Sequence, residues 1–231
     1  DSAAQAVALG GLWTPPPWAP SPAAATASPS PDPAASAPGP AGVAAAVLTA
    51  AEATCADAVA SQSGELATVL SWVCVAQRRA ASDLGSPAQD LATPSPRALA
   101  AAVAEVPSAA ELARALDAAG YALEVAAARE RDAGSTELAS RAAENRRLAE
   151  EILRATSQAG TEDDPRRSAY HLPGGDVPAI AAVELGVLTA WAAVVGEVAP
   201  QARAAVLAAM DAAAVRAQAD GSSLPALPGL G

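Results

Sequence analysis

The chain has 231 residues, with 52% apolar but only 3% aromatic residues because about 70 positions are alanine. A mean hydropathy of +0.21 is too high for a wholly disordered chain. With 25 acidic against 14 basic residues and a net charge of -11, the surface repels phosphate backbones and anionic headgroups, so nucleic acid is excluded as a partner.

All the basic residues are arginine, lysine and phenylalanine are absent, and Asn145 is the sole asparagine. GC-rich codons produce this bias. No apolar run of about 18 to 20 residues escapes charges and prolines, so no bilayer span is expected. The chain begins at Asp1 without an initiator methionine, which reads as a processed product or a trimmed piece; processing would mean export.

Residues 1–42 read as a Pro/Ala/Ser-rich arm or linker, since ten of the twenty prolines fall within the first 40 positions. Such composition favours polyproline II and solvated backbone. Trp13 and Trp18 flank the stiff Pro15-Pro16-Pro17, and exposed tryptophan serves no purpose in a pure spacer. These five residues either dock on a partner, the reading adopted for them, or fold back on the chain's own domain.

Residues 43–106 read as a helical hairpin plus a short helix. Two alanine-rich stretches, about 43–61 and 64–83, are broken by Ser61-Gln62-Ser63-Gly64, a plausible turn between antiparallel neighbours. Cys55 and Cys74 stand nearly equidistant from that turn, so a fold there brings them to one level on facing helices and favours a disulfide. The alternative is two free thiols on one continuous helix, about 28 Å apart. Ser95-Pro96 reads as an N-cap with proline at the first helical position, opening a helix that stops before Pro107.

Residues 107–231 read as four helices of roughly 20 residues in two pairs. Ser108 and Glu111 have capping-box spacing, and Leu112, Leu116 and Leu123 form an inward stripe in the helix that follows. The next helix, about 136–157, turns Leu138, Ala142, Leu148, Ala149 and Ile152 inward, with Glu137–Arg141, Arg147–Glu151 and Glu150–Arg154 pairs outside. A polar linker, 160–175, includes Glu162-Asp163-Asp164 beside Arg166-Arg167, read as a solvated charge cluster. Asp176 is the expected cap of a helix over about 177–197, and Pro200 opens the last helix. Trp72 and Trp191 are the expected core aromatics.

The residues permit little chemistry. A dinuclear carboxylate centre needs Glu-x-x-His pairs, and the one histidine, His171, follows Ser168 at that spacing and sits in a loop. There is no nucleophile elbow, and a phosphate-cradling loop with lysine is impossible. Glu184 shares a helix face with Ile180, Val187, Leu188 and Trp191, so it is expected to be partly buried and to need a partner. Arg216 lies opposite if the last two helices turn at Ala199-Pro200, which predicts a structural ion pair. The competing reading is a ligand pocket around Glu184, Asp211, Tyr121 and Trp191.

Taken together, Ala169-Tyr170-His171-Leu172-Pro173, the helix from Ala182-Val183-Glu184-Leu185 to Ala190-Trp191, Ala212-Ala213-Ala214-Val215-Arg216-Ala217 and Leu227-Pro228-Gly229-Leu230 resemble the actinobacterial ferritin-like domain family of unknown function, whose members are commonly exported proteins or lipoproteins. The resemblance covers residues 108–230 best. It implies an all-α, ferritin-like four-helix bundle and an envelope location, and supplies no reaction. Where relatives offer a Glu-His pair in the first bundle helix this chain has Leu116-Asp117, and Ala142 stands where a histidine belongs.

The expectation is thus a non-catalytic, envelope-associated helical protein without metal or cofactor. It acts through protein contacts of its arm, as an accessory subunit of a membrane complex, and meets the membrane only through a lipid anchor upstream of Asp1. The alternative is a small-ligand binder or cryptic enzyme with a pocket around Glu184.

Overall fold

The computed structural model describes residues 39–86, 88–130, 134–172 and 179–224, and every regular element among them is a helix. Trp13, Pro15, Pro16, Pro17 and Trp18 lie outside the described residues, as do Asp176, Pro173 and the terminal Leu227-Pro228-Gly229-Leu230.

The first helix, α1 (Pro40–Ala60), starts with proline in its first turn, where the missing N–H costs nothing. It therefore begins ahead of Val43, inside the stretch expected to belong to the arm. The second, α2 (Gly64–Asp83), is capped by Ser63, whose hydroxyl accepts from Leu66 N at 3.3 Å. α1 buries only Ala44, Ala51 and Ala58, spaced seven apart, and packs mainly on α2. Cys55 and Cys74 are joined in a disulfide between the two helices, with Cα atoms 5.1 Å apart.

The expectation that no segment could span a bilayer needs correction. α1 is long and apolar enough by length and composition, with a mean hydropathy of 1.5 over an 18-residue window of which 22% is buried. Two acidic residues, Glu52 and Asp57, are too few to outweigh its alanines and valines.

A short helix, α3 (Pro96–Val103), is capped by Ser95, which accepts from Ala98 N at 3.3 Å. The capping box expected at α4 (Ala109–Arg129) is absent. Ser108 makes no side-chain cap; its hydroxyl and backbone N–H donate instead to Glu197 at 2.6 and 3.0 Å, and Glu111 pairs with Arg114. A carboxylate from the turn between α6 and α7 has outcompeted the local one.

Beyond lie α5 (Gly134–Ala155), α6 (Ile180–Val195) and α7 (Pro200–Ala219). α6 begins after Ala179, without a side-chain cap. In the linker Glu162, Asp163 and Arg167 are exposed, as expected, whereas Asp164 is partly buried: it accepts from Arg166 Nη2 at 2.6 Å and from Gly160 N at 2.9 Å, and the Arg166 guanidinium holds its carboxyl well below the usual range.

α4 packs against α5 and α6, and α6 against α7; α2 lies along α6 and α7, while α3 bridges α5 and α7. A single apolar cluster runs from Trp72 of α2 through Leu112, Leu116, Leu123, Ile152, Leu188 and Trp191 to Ala214 of α7, with members on both sides of residue 107. Trp72 and Trp191 are both buried. With so many alanines, helix axes can approach closely, and glycine extends this at one crossing. A Cβ on Gly64 or on Gly196 would collide with the backbone carbonyl of the other, so the start of α2 meets the end of α6 backbone to backbone.

Candidate functional site

The apolar periods of these helices carry charges inside. Among the described residues the buried charged side chains are Arg78, Arg79, Asp117, Glu184, Arg203 and Asp211. A buried charge is tolerable only when paired and hydrogen-bonded, and the three acids meet that condition with arginine.

Glu184, on α6, has no exposed surface. Arg216 Nε of α7 donates to its Oε2 at 3.1 Å, and Arg141 Nε of α5 to its Oε1 at 3.2 Å. Arg141 also grips Asp220, just past α7, with Nη2 2.6 Å from Oδ2 and Nη1 3.3 Å from Oδ1. Burial works against the charge of Arg141, but its hydrogen bonds to Asp220 and Glu184 outweigh that and hold its pKa above the ordinary guanidinium value. The expected surface pair with Glu137 is a remote 3.9 Å, because the side chain is drawn inward. Similarly, Glu151 is met by Arg154 at 3.5 Å rather than by Arg147.

Asp211, on α7, is met by Arg78 Nε at 3.0 Å and Arg79 Nη2 at 3.3 Å, both from α2. Arg78 Nη2 also donates to the carbonyl of Gln89 at 2.7 Å, tying the segment after α2 to the core. Asp117, on α4, accepts from Arg146 Nη1 at 2.9 Å and from the Tyr170 hydroxyl at 2.8 Å. Arg146 continues to Glu124 at 2.7 and 2.8 Å. Burial, followed by the hydrogen bond to Asp117, raises the Tyr170 pKa.

Arg203 differs in having carbonyls rather than carboxylates around it. It donates to Ala58, Val59 and Ser61 at the end of α1, and to Val195 and Val198 at the end of α6, at 2.6 to 3.3 Å. One guanidinium thus occupies the negative ends of two helix dipoles and satisfies their last acceptors. Burial lowers its pKa.

The donor set does not fit the dinuclear metal group that a ferritin-like resemblance brings with it. Glu184, Asp117 and Asp211 are each paired with arginine, Asp117 giving its second oxygen to the Tyr170 hydroxyl, and His171 is exposed in the linker. No three His, Cys, Asp or Glu side chains among the described residues converge to hold an ion.

Nor do the residues of the expected Glu184 pocket gather. Tyr121 stands against Tyr170, ring centroids 6.0 Å apart, and Glu184 is sealed behind its arginines. One cavity, of about 290 Å3, lies between α4, α5, α6 and α7 under α3, and is lined by Asn145, Trp191, Arg147, Arg216, Leu116 and Leu148 among others. A second hollow of about 220 Å3, between α4 and α6, has an alanine and glycine floor with His171 at its edge.

Sequence reasoning passed over Arg78, Arg79, Asp117, Asn145 and Arg203, although a signal was present. Each occupies an apolar-period position: 71, 72, 75, 78 and 79 on α2; 112, 113, 116 and 117 on α4; 142, 145, 149 and 152 on α5; 203, 206, 207 and 210 on α7.

A family model described as a domain of unknown function (DUF4439) matches residues 108–231. No curated protein and no solved structure matches the chain.

Proposed function

The chain belongs to the DUF4439 family, through a region that covers more than half of it, and we propose that it is a non-catalytic helical protein of an oxidising, extracytoplasmic compartment that works by contact rather than turnover. In this reading α4 to α7 form a ferritin-like four-helix bundle, with α1 and α2 as an appended hairpin. The observation that carries it is the pairing of each buried carboxylate with arginine: Glu184 with Arg141 and Arg216, Asp211 with Arg78 and Arg79, Asp117 with Arg146. Charges that elsewhere in such bundles would bind ions here hold helices together.

The Cys55–Cys74 disulfide supports export, since such bonds persist where thiols oxidise. The setting in this proposal is an actinobacterial envelope, with a lipid anchor upstream of Asp1. The contact surface is the outward side of α1, where Val43, Ala46 and Ala53 are exposed, together with the arm that leads into it. Its partner is a subunit of a membrane complex. A photo-crosslinking residue at Ala46 or Ala53 should trap one discrete envelope protein in intact cells, and deletion of residues 1–38 should abolish the product. Identical products from Ala46 and from the remote, exposed Ala139 of α5 would refute this reading.

A second reading, a small-ligand binder, draws its support from the cavity at Asn145 rather than from Glu184.

A further inference from the structure

Asn145 is only 7% exposed and lines the 290 Å3 cavity, yet its side chain forms no hydrogen bond with the described residues. An asparagine amide carries two donors and an acceptor, and here they open onto the cavity, free for whatever fills it. Its neighbours along the same stripe, Ala142, Ala149 and Ile152, are ordinary core residues. Leucine here would fold the helix better, which marks Asn145 as a residue whose local rule is broken for something else.

Two further groups on the same wall, Arg216 and Arg147, have unused hydrogens. Arg216 uses only Nε, which donates to Glu184; this bond orients the guanidinium while Nη1 and Nη2 stay unpaired. Arg147, which is exposed, forms no ion pair among the described residues. Against these donors the lining offers few acceptors: the Asn145 carbonyl, the Thr93 hydroxyl and Glu144, an exposed acid. A donor-rich, one-sided wall calls for a ligand that only accepts, and an ionised carboxylate is such a group. The other walls, Leu116, Leu148 and the face of Trp191, are apolar.

We infer that this cavity binds a small organic acid, its carboxylate taken by Arg216, Arg147 and Asn145 and its apolar body laid against Trp191, Leu116 and Leu148. The volume suits a molecule of about ten non-hydrogen atoms, roughly twice a cavity that holds benzene. The inference rests on the ligand-binding reading above and is independent of the contact surface on α1.

As the sole asparagine, Asn145 gives one side-chain amide pair in the nitrogen-15 spectrum of the full chain labelled only at asparagine. That pair is titrated with benzoate and phenylacetate and, in parallel, with benzamide and phenylacetamide. At least one acid should move it saturably, binding tenfold or more tighter than its amide. Arg147→Gln, an exposed change, should weaken the acid several-fold. Asn145→Leu, followed through the ligand's own signals, should abolish binding. Equal affinity of acid and amide would overturn the acid assignment while leaving a ligand site. No shift with either set would overturn both the inference and the ligand-binding reading, and acid binding that survives Asn145→Leu would overturn the location.

Discussion

Arg216 Nε and Glu184 Oε2 meet at 3.1 Å in the interior, and the same carboxylate is shared with Arg141 of a third helix. One acid therefore ties α5, α6 and α7 at the end where α6 begins. Removing Arg141 leaves the buried Glu184 with Arg216 alone and strips Asp220 of its guanidinium, so Arg141→Leu should lower the unfolding free energy by about 3 kcal/mol in urea titrations. Arg141→Leu combined with Glu184→Leu should recover most of that loss, because the pair is then replaced by apolar contacts. A single Arg141→Leu change without effect on the midpoint would show that the pair carries no structural role.

Arg203 serves carbonyls at the ends of α1 and α6. Arg203→Met should cost about 2–3 kcal/mol, since several buried acceptors lose a charged donor together. Arg203→Lys should rescue only part of this, because a point charge cannot reproduce the planar fork. Thermal unfolding of the three proteins gives the order directly, and lysine matching arginine would contradict it.

These charges also define how far the sequence could be read. Helix existence and order were legible, because the apolar period, prolines at helix starts and Ser95 and Ser63 as caps are local signals. The Glu184–Arg216 pair could be anticipated because both residues stand equally far in sequence from the turn at Pro200, on either side of it. Arg141 could not: its local partner Glu137 is four residues away, and only assembled helices show that a buried acid outbids it. Ser108 left its capping box for Glu197 for the same reason. Asn145 was visible as a polar residue on an apolar stripe, but nothing local showed that its amide would face a cavity.

The Cys55–Cys74 bond closes a loop of 19 residues between α1 and α2. Replacing both cysteines by serine should lower stability by about 3 kcal/mol, and because α1 buries little else than three alanines, its amides should exchange before those of α4. Hydrogen exchange of the double variant checks this; uniform loss of protection across all helices would contradict it.

Tyr170 donates its hydroxyl proton to Asp117, and its folded pKa lies above the ordinary value near 10. Its contribution is therefore complete below the unfolded pKa and is lost as pH rises through the higher folded value. Stability should fall more steeply above about pH 10 in the natural protein than in Tyr170→Phe. Parallel curves for the two would show that the hydroxyl does not hold the linker.

At the crossing of α2 and α6 there is no room for a side chain on Gly64 or Gly196. Gly196→Ala must push the helices apart, with an expected loss of about 2 kcal/mol. Gly186→Ala on α6, where a Cβ meets open space, should be neutral or stabilising. Equal effects of the two changes, by calorimetry, would contradict the close approach.

The most direct test of the account is metal stoichiometry after anaerobic incubation with ferrous iron and removal of unbound metal, measured by elemental analysis. With the interior carboxylates held by arginine, the natural protein should retain no stoichiometric iron. Two ions per chain, lost on Glu184→Gln, would contradict the assignment of these acids to structure.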